Sequence, residues 1–359
     1  MKVLIAGGGT GGHVIPGLAI ARELRDTAGA EVRFVGTARG LETKLVPEAG
    51  FSLELIHVGQ LKGVSLATRL RTLGDLPLGI AKCVAMLREF KPDVVVGVGG
   101  YASGPAMMAA LLLRVPTVAY EPNAVPGLTN KLVGKFVSAA AVSYAQTTKY
   151  FRNATVTGVP VRATIFDVAP LTEAQTPRLL ITAGSQGAKI FNDTMPLILS
   201  RLLEAVPGLT ILHQAGARHI EATTAAFAAS GADPSRWEVR AFIDDMPHQY
   251  AACTLVLARS GSTVAELAAS GRPSLLVPFP QAADDHQRKN AEVLVQAGAA
   301  TMMIQAGLTP EGLLEELTRM LNDAPGLVEM GANARTLAHP GALERIAGMA
   351  LRVSRKTPN

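Results

Sequence analysis

Lys2-Val3-Leu4-Ile5-Ala6 runs directly into Gly7-Gly8-Gly9-Thr10-Gly11-Gly12-His13. The first run is short, apolar and β-branched, which reads as a buried strand; Pro16–Leu24 reads as the helix that follows. Glycine tolerates positive φ and lets the backbone approach a ligand closely. A helix start just beyond it presents unpaired N–H groups and the positive end of a dipole. The predicted unit is therefore strand, anion-binding turn, helix, the repeating element of a doubly wound parallel sheet.

Working outward, the same alternation continues. Glu31–Val35, Leu53–His57, Val94–Val98, Thr117–Tyr120 and Ala139–Val142 read as further strands. A second series begins at Arg178–Thr182. It continues through Leu209–His213, Glu238–Ala241, Leu255–Ala258, Leu275–Val277 and Thr301–Ile304. The Pro- and Thr-containing stretch from Gly158 to Pro177 separates the two series. At roughly 100–200 residues per domain, 359 residues suit two domains. The expected division is 1–162 and 163–359, with a last helix, Gly341–Val353, able to return to the first domain. Ligands of such sheets bind beyond the carboxyl ends of the strands. Two such domains facing each other would set both groups of loops along a cleft.

Composition narrows the possibilities. Apolar residues are 48% and charged residues 18%, which excludes a disordered chain. Aromatics are only 4%, too few for stacking on single-stranded nucleic acid, so no nucleic-acid partner is expected. The formal charge of +5 suits an anionic partner, although on charge alone a modest excess of solvated Lys and Arg is the preferred account. Cys83 and Cys253 lie far apart and the histidines are scattered, so no metal-ligand spacing is present. The apolar run Val3–Ala6 is too short for a signal peptide, and no stretch approaches 18 apolar residues.

Several loops could carry chemistry. Gly7, Gly9 and Gly12 fit G-x-G-x-x-G, but a nicotinamide enzyme needs an acid after the second strand, where Phe34-Val35-Gly36-Thr37 has none. His13 is either a helix-start side chain or a base near neutrality. Gly99-Gly100-Tyr101-Ala102-Ser103-Gly104 and Glu121-Pro122-Asn123 through Gly127–Asn130 follow strands of the same sheet, which suggests a site for a large anion. In the second half Gly184-Ser185-Gln186-Gly187-Ala188-Lys189 follows a first strand. Ile190 stands where a Walker loop needs Ser or Thr, which leaves a nest of amides for pyrophosphate. Thr263 and Glu266 fit a capping box, Thr at the N-cap and Glu at N3, or a carboxylate that grips ribose hydroxyls; both readings remain open. Asp244-Asp245 and Asp284-Asp285 are solvated loop acids rather than a glycosidase pair. Leu66–Phe90 carries Arg69, Arg71, Lys82 and Arg88. Gly74, Pro77 and Gly79 break it into loop plus helix, either a core helix with a solvated face or a patch for an anionic leaflet.

In these loops the chain resembles the MurG family, the UDP-N-acetylglucosamine:lipid I N-acetylglucosaminyltransferases of bacterial peptidoglycan synthesis, on which cell shape and division depend. The resemblance covers nearly the whole chain. It rests on Gly7–His13 with Pro16-Gly17-Leu18, on Lys91-Pro92-Asp93-Val94 through Gly104-Pro105, and on Gly127–Lys131. It continues in Gly184–Ala188, Phe242-Ile243-Asp244-Asp245-Met246, Arg259–Glu266, and Pro278-Phe279 through Asn290-Ala291. It implies two Rossmann-like domains in the GT-B arrangement, inversion at the sugar carbon, and no metal or other cofactor. It also implies peripheral attachment to the anionic cytoplasmic face of the inner membrane. Carried over by motif, Thr10, Gly11, Gly12, Asn123, Arg162, Ser185, Ile243, Ser262, Thr263, Glu266 and Gln287 would contact the donor, UDP-N-acetylglucosamine. Gly9, His13, Gly100, Tyr101, Ser103, Glu121 and Asn130 would face the acceptor, lipid I, with His13 as the catalytic base. The rivals are another UDP-sugar enzyme of the same fold such as an epimerase, a non-catalytic nucleotide-sugar or lipid-binding scaffold, and a nicotinamide oxidoreductase.

Overall fold

The computed structural model describes residues 1–58 and 66–354, with side chains from residue 75 onward in the helix that starts at Leu66. Among the described residues the strands form two all-parallel sheets. The first contains β1 (Lys2–Gly7), β2 (Glu31–Thr37), β3 (Ser52–Ile56), β4 (Val94–Gly99), β5 (Thr117–Glu121), β6 (Ala139–Val142) and β7 (Ala154–Val156), in the order β3-β2-β1-β4-β5-β6-β7. The second contains β8 (Arg178–Thr182), β9 (Thr210–Gln214), β10 (Trp237–Arg240), β11 (Leu255–Ala258), β12 (Ser274–Leu276) and β13 (Ala300–Met302), in the order β10-β9-β8-β11-β12-β13. Apart from β7, the strands lie within two residues of the predicted runs at each end. Sheets covered on both faces need near-continuous apolar strands, and Val94, Val95 and Val96 are fully buried.

The helices are α1 (Gly11–Ala28), α2 (Glu42–Glu48), α3 (Leu66–Phe90), α4 (Ser103–Leu112), α5 (Leu128–Val133), α6 (Ala163–Phe166) and α7 (Lys189–Ala205). Then follow α8 (Ile220–Ala229), α9 (Met246–Ala252), α10 (Thr263–Ser270), α11 (His286–Gln296), α12 (Pro310–Leu321), α13 (Ala324–Thr336) and α14 (Ala342–Val353). The chain divides into two compact units, Met1–Pro160 together with the segment from Gly341, and Val161–Pro340. In the first unit, α14 sends Ile346, Ala347, Met349 and Ala350 into the cluster that holds Val3, Ile5, Val96 and Val118. Cys83, Leu87, Met107 and Val133 of α3, α4 and α5 share a second cluster with Leu4, Val95 and Ala119. In the second unit α7 and α12 share one core cluster and α9, α10 and α11 another.

One expected break is absent. Leu66–Phe90 is a single 25-residue helix with Pro77 inside it, not loop plus helix. An interior proline costs about 3 kcal/mol, but packing against α4 outweighs that cost. Gly79 faces Pro105 of α4, where an added Cβ would make ordinary contact at 3.7 Å. The side chains of Arg69 and Arg71 lie outside the described residues.

In each sheet the strand order reverses between the first and fourth strands of its series, β1 and β4, then β8 and β11. Loops leaving the carboxyl ends of such a pair diverge and leave a crevice. The glycine turns after β1 and β4, and those after β8 and β11, all leave from these points.

Candidate active site

In the first unit α1 starts inside the glycine turn, at Gly11, earlier than its apolar pattern shows. Thr10 is its N-cap, in extended conformation, and makes no side-chain cap bond. The first amides of α1 are therefore open to a ligand. The β1 and β4 turns touch: Gly8 N donates to Gly99 O at 3.3 Å. A Cβ on Gly100 would sit 2.3 Å from Gly8 O, so only glycine permits this approach. The His13 ring lies over Gly99, and its Nδ1 is 3.3 Å from Thr10 Oγ1. Tyr101 is 40% exposed beside them. Gly9 through His13, Gly100 and Tyr101 thus come together at the ends of β1 and β4.

Four residues expected to touch the acceptor are buried or have partners within the protein. The Gly9 amide is taken by Glu42, whose Oε2 accepts from it at 2.7 Å. Ser103, the first residue of α4, is fully buried, and Glu121 and Asn130 are buried at 3% exposure each. Glu121 accepts from Asn123 N, Asn123 Nδ2, Gly127 N and Asn130 Nδ2 at 2.9–3.1 Å. Burial pushes its carboxyl above the usual carboxylate range, while these donors pull it back. Glu121 and Asn130 thus hold together the loop that carries Asn123 through buried hydrogen bonds.

In the second unit the turn from Gly184 to Gly187 precedes the 17-residue α7, whose N-cap, Ala188, has no side chain able to cap. Gln214, buried at the end of β9, donates from Nε2 to Gly184 O at 2.6 Å and accepts from Ile243 N at 3.0 Å. Ile243 is itself buried, so its expected donor contact can use only its backbone. Ser185 is exposed at the tip of the turn. A cavity of about 410 Å³ opens beside it, lined by Gly184, Arg259, Ser262, Thr263, Phe279 and Gln287 among others, within the usual size of ligand pockets. Arg259 walls it, its guanidinium 5.4 and 5.3 Å from the ring centres of Phe191 and Phe279. Its NH1 donates to Val277 O and Pro278 O and its NH2 to Gln305 Oε1. Burial lowers its pKa to about 10, still charged near neutrality.

The capping box does not form. Ser262, not Thr263, is the N-cap of α10, and it makes no side-chain cap bond. Glu266 instead accepts from the buried Tyr250 hydroxyl at 2.9 Å. Burial raises the Glu266 carboxyl, opposed by that hydroxyl and by the charge of exposed Arg162. Among the described residues a single donor, the Tyr250 hydroxyl, reaches Glu266, which leaves lone pairs for ligand hydroxyls. Gln287 accepts from Phe279 N at 3.0 Å, which places its amide at the cavity wall. Sequence reasoning did not assign Glu42, Gln214, Tyr250 or Arg259 to the site. The run His213-Gln214 at the end of an apolar strand was the one available signal, since amide side chains are uncommon in buried strand ends.

Two doubly wound sheets, each with amide-rich turns at its switch point, are the architecture of GT-B glycosyltransferases. Residues 3–142 match the glycosyltransferase family 28 N-terminal domain, and residues 178–346 match its C-terminal domain. An Anaeromyxobacter dehalogenans UDP-N-acetylglucosamine–N-acetylmuramyl-(pentapeptide) pyrophosphoryl-undecaprenol N-acetylglucosamine transferase is 44% identical over 99% of this chain and 94% of its own. The protein of the same name from Solibacter usitatus is 44% identical over 98% of this chain and 96% of its own. A crystal structure of Acinetobacter baumannii MurG is similar at a TM-score of 0.79 and 31% identity, covering 98% of this chain and 99% of that one. The chain belongs to the MurG family of glycosyltransferase family 28.

Proposed function

We propose that this protein transfers N-acetylglucosamine from UDP-N-acetylglucosamine to the muramyl C4 hydroxyl of lipid I, forming lipid II with inversion at the sugar carbon. The observation that carries this reading is full-length likeness to relatives named for that transfer. The hydroxyl oxygen attacks the anomeric carbon from the face opposite the nucleotide. The bond from that carbon to the diphosphate oxygen breaks, and UDP leaves with the electron pair. His13 accepts the hydroxyl proton.

The second unit carries most of the donor site. The amides after Gly184, with Ser185 and Arg162, meet the negative charge that grows on the diphosphate. A helix dipole supplies at most about 2 kcal/mol in a partly buried site, so positioning must contribute much of the remainder. Glu266 takes ribose hydroxyls, Ile243 meets the base through its backbone, and Ser262, Thr263 and Gln287 complete the wall. Thr10, Gly11, Gly12 and Asn123 are assigned to the donor, and Gly100 and Tyr101 to the acceptor, by the family resemblance. The direct test combines protein, UDP-N-acetylglucosamine and lipid I in the presence of EDTA. Disaccharide product is expected; UDP binding without product would favour a nucleotide-sugar-binding scaffold instead.

The acceptor's lipid implies an anionic membrane surface as partner, at its cytoplasmic face. No described helix is long and apolar enough to cross a membrane. Support for surface attachment comes from α3, α4 and α5, which pack side by side. They and the turn after α5 expose Leu78, Leu112, Leu132 and Phe136, each more than 60% accessible, with Lys131 and Lys135 beside the last two. Apolar side chains flanked by lysines suit insertion into an anionic leaflet. Burying one such side chain contributes about 1.5–3 kcal/mol. The double variant Leu132→Asp, Phe136→Asp should therefore lose at least about 10-fold in binding to phosphatidylglycerol vesicles, with UDP affinity unchanged. Unaltered vesicle binding would remove this face from the role.

A further inference from the structure

Glu42 is fully buried at the first residue of α2, and no Lys, Arg or His pairs with it among the described residues. Taking a carboxylate out of water costs several kcal/mol unless its lone pairs are met. Here Oε1 accepts from Thr37 N at 2.9 Å and from Thr37 Oγ1 at 3.0 Å, while Oε2 accepts from Gly9 N at 2.7 Å. Both oxygens thus face donors, an arrangement that ionised Glu satisfies and that an amide side chain cannot. The surrounding chain has made room for it. A Cβ on Gly8 would lie 2.2 Å from Oε1, one on Gly40 1.9 Å from Oε2, and one on Gly36 2.6 Å from Cγ. The backbone adds a further tie, from Leu41 N to Gly9 O at 3.2 Å.

A negative charge directly beneath an anion-binding turn opposes the turn's ligand, so folding alone gives a poor account of it. Its geometric effect is specific. Drawing the Gly9 amide inward fixes the Gly8–Gly9 peptide, the Leu41 N to Gly9 O bond fixes the next one, and together they set the direction of the open amides of α1 and of the Thr10 hydroxyl beside His13. We propose that Glu42 is a positioning residue for transfer. It holds the Gly8–Gly9 peptide so that the start of α1 and the His13 ring are set for the acceptor, an assignment that rests on the function proposed above.

The test uses the full-length Glu42→Gln variant, in which the amide oxygen keeps the side with two donors, Thr37 N and Thr37 Oγ1, and the NH2 turns toward the single donor Gly9 N–H. Hydrogen exchange of the peptide spanning residues 7–13 should speed up at least about 10-fold, because the Gly9 amide loses its acceptor. The KM for lipid I should rise, and kcat/KM for lipid I should fall at least about 10-fold. The KM for UDP-N-acetylglucosamine should rise less than that for lipid I, because most assigned donor contacts lie in the second unit, and the melting temperature should fall by no more than several degrees, the cost of one buried unpaired donor. Glu42→Asp retains the charge but is one methylene too short to reach both donors, so it should not restore kcat/KM. A folded Glu42→Gln protein with wild-type exchange or wild-type acceptor kinetics would overturn the proposal. So would recovery of full activity in Glu42→Asp, since charge alone would then suffice. If Glu42→Gln does not fold, Glu42→Asp is read by the same two measurements. Wild-type protein that makes no disaccharide would refute the proposed function. In that case the exchange measurement alone decides the positioning of the turn, and unchanged exchange overturns it.

Discussion

Gly187→Ala is expected to lower kcat/KM for UDP-N-acetylglucosamine by 10²-fold or more. Two effects add at this position. Its φ of +67° lies in the left-handed region, which costs an alanine about 1–2 kcal/mol. An added Cβ would also lie 2.0 Å from Ala215 O, a backbone atom with no rotamer to relieve the overlap. That carbonyl is held in place by Asn192 Nδ2 at 3.1 Å, and Asn192 Oδ1 is in turn 2.7 Å from Nε2 of fully buried His213. The turn, not its neighbour, must therefore move, and a shift of about 1 Å in a positioning element costs roughly 10²-fold. Gly184→Ala is the internal control. Its φ of +73° carries the same torsional cost, but a Cβ there meets nothing within 4 Å. Steady-state kinetics on both variants should show Gly184→Ala as much the milder. Equal losses would mean that close approach to Ala215 is not what demands glycine at 187.

Removing the His13 ring is expected to lower kcat by about 10²–10⁴-fold, the usual contribution of general-base assistance, while UDP affinity changes little. The affinity should hold because the deep part of the donor site, around Gly184 and Arg259, belongs to the second unit. The ring also packs on Gly99, so His13→Ala could act by loosening the turns. Added imidazole separates the two causes. It should restore part of the turnover if a proton acceptor is missing, and none if the turns have shifted. Full turnover by His13→Ala under chemistry-limited conditions would rule out this residue as the base.

Much of the architecture was legible because parallel strands buried on both faces leave uninterrupted apolar runs, as at Val94–Val98. Gly-rich turns after the first strand of each series marked the switch points. Other features were hidden for physical reasons. The start of α1 lay inside a glycine turn, where helix propensity is low. Pro77 suggested a break in α3 that tertiary packing overrides. The capping-box spacing at Thr263 and Glu266 was real as a pattern, but Tyr250, distant in sequence, captures the carboxylate first. Glu121 and Asn130 look like ligand contacts because polar residues cluster in that loop; in the fold Glu121 accepts from Asn123, Gly127 and Asn130, and Asn130 also donates to Tyr120 O. Several glycines around the first turn also have a different cause from the one their motif suggests. Gly8, Gly36 and Gly40 leave space for Glu42, so counting glycines overstates how much backbone was cleared for an anion.

The placement of α14 bears on how this chain comes off the ribosome. Ile346, Ala347, Met349 and Ala350 complete the hydrophobic interior built around β1, β4 and β5, yet residues Val161–Pro340 are synthesised in between. At about 5–20 residues per second, that interval lasts roughly 10–40 s. For this period the earlier-made sheet must wait with one apolar flank uncovered, while the later-made unit already has all of its own sequence. The part translated first is thus the part finished last, and the nascent sheet is where a chaperone would be needed.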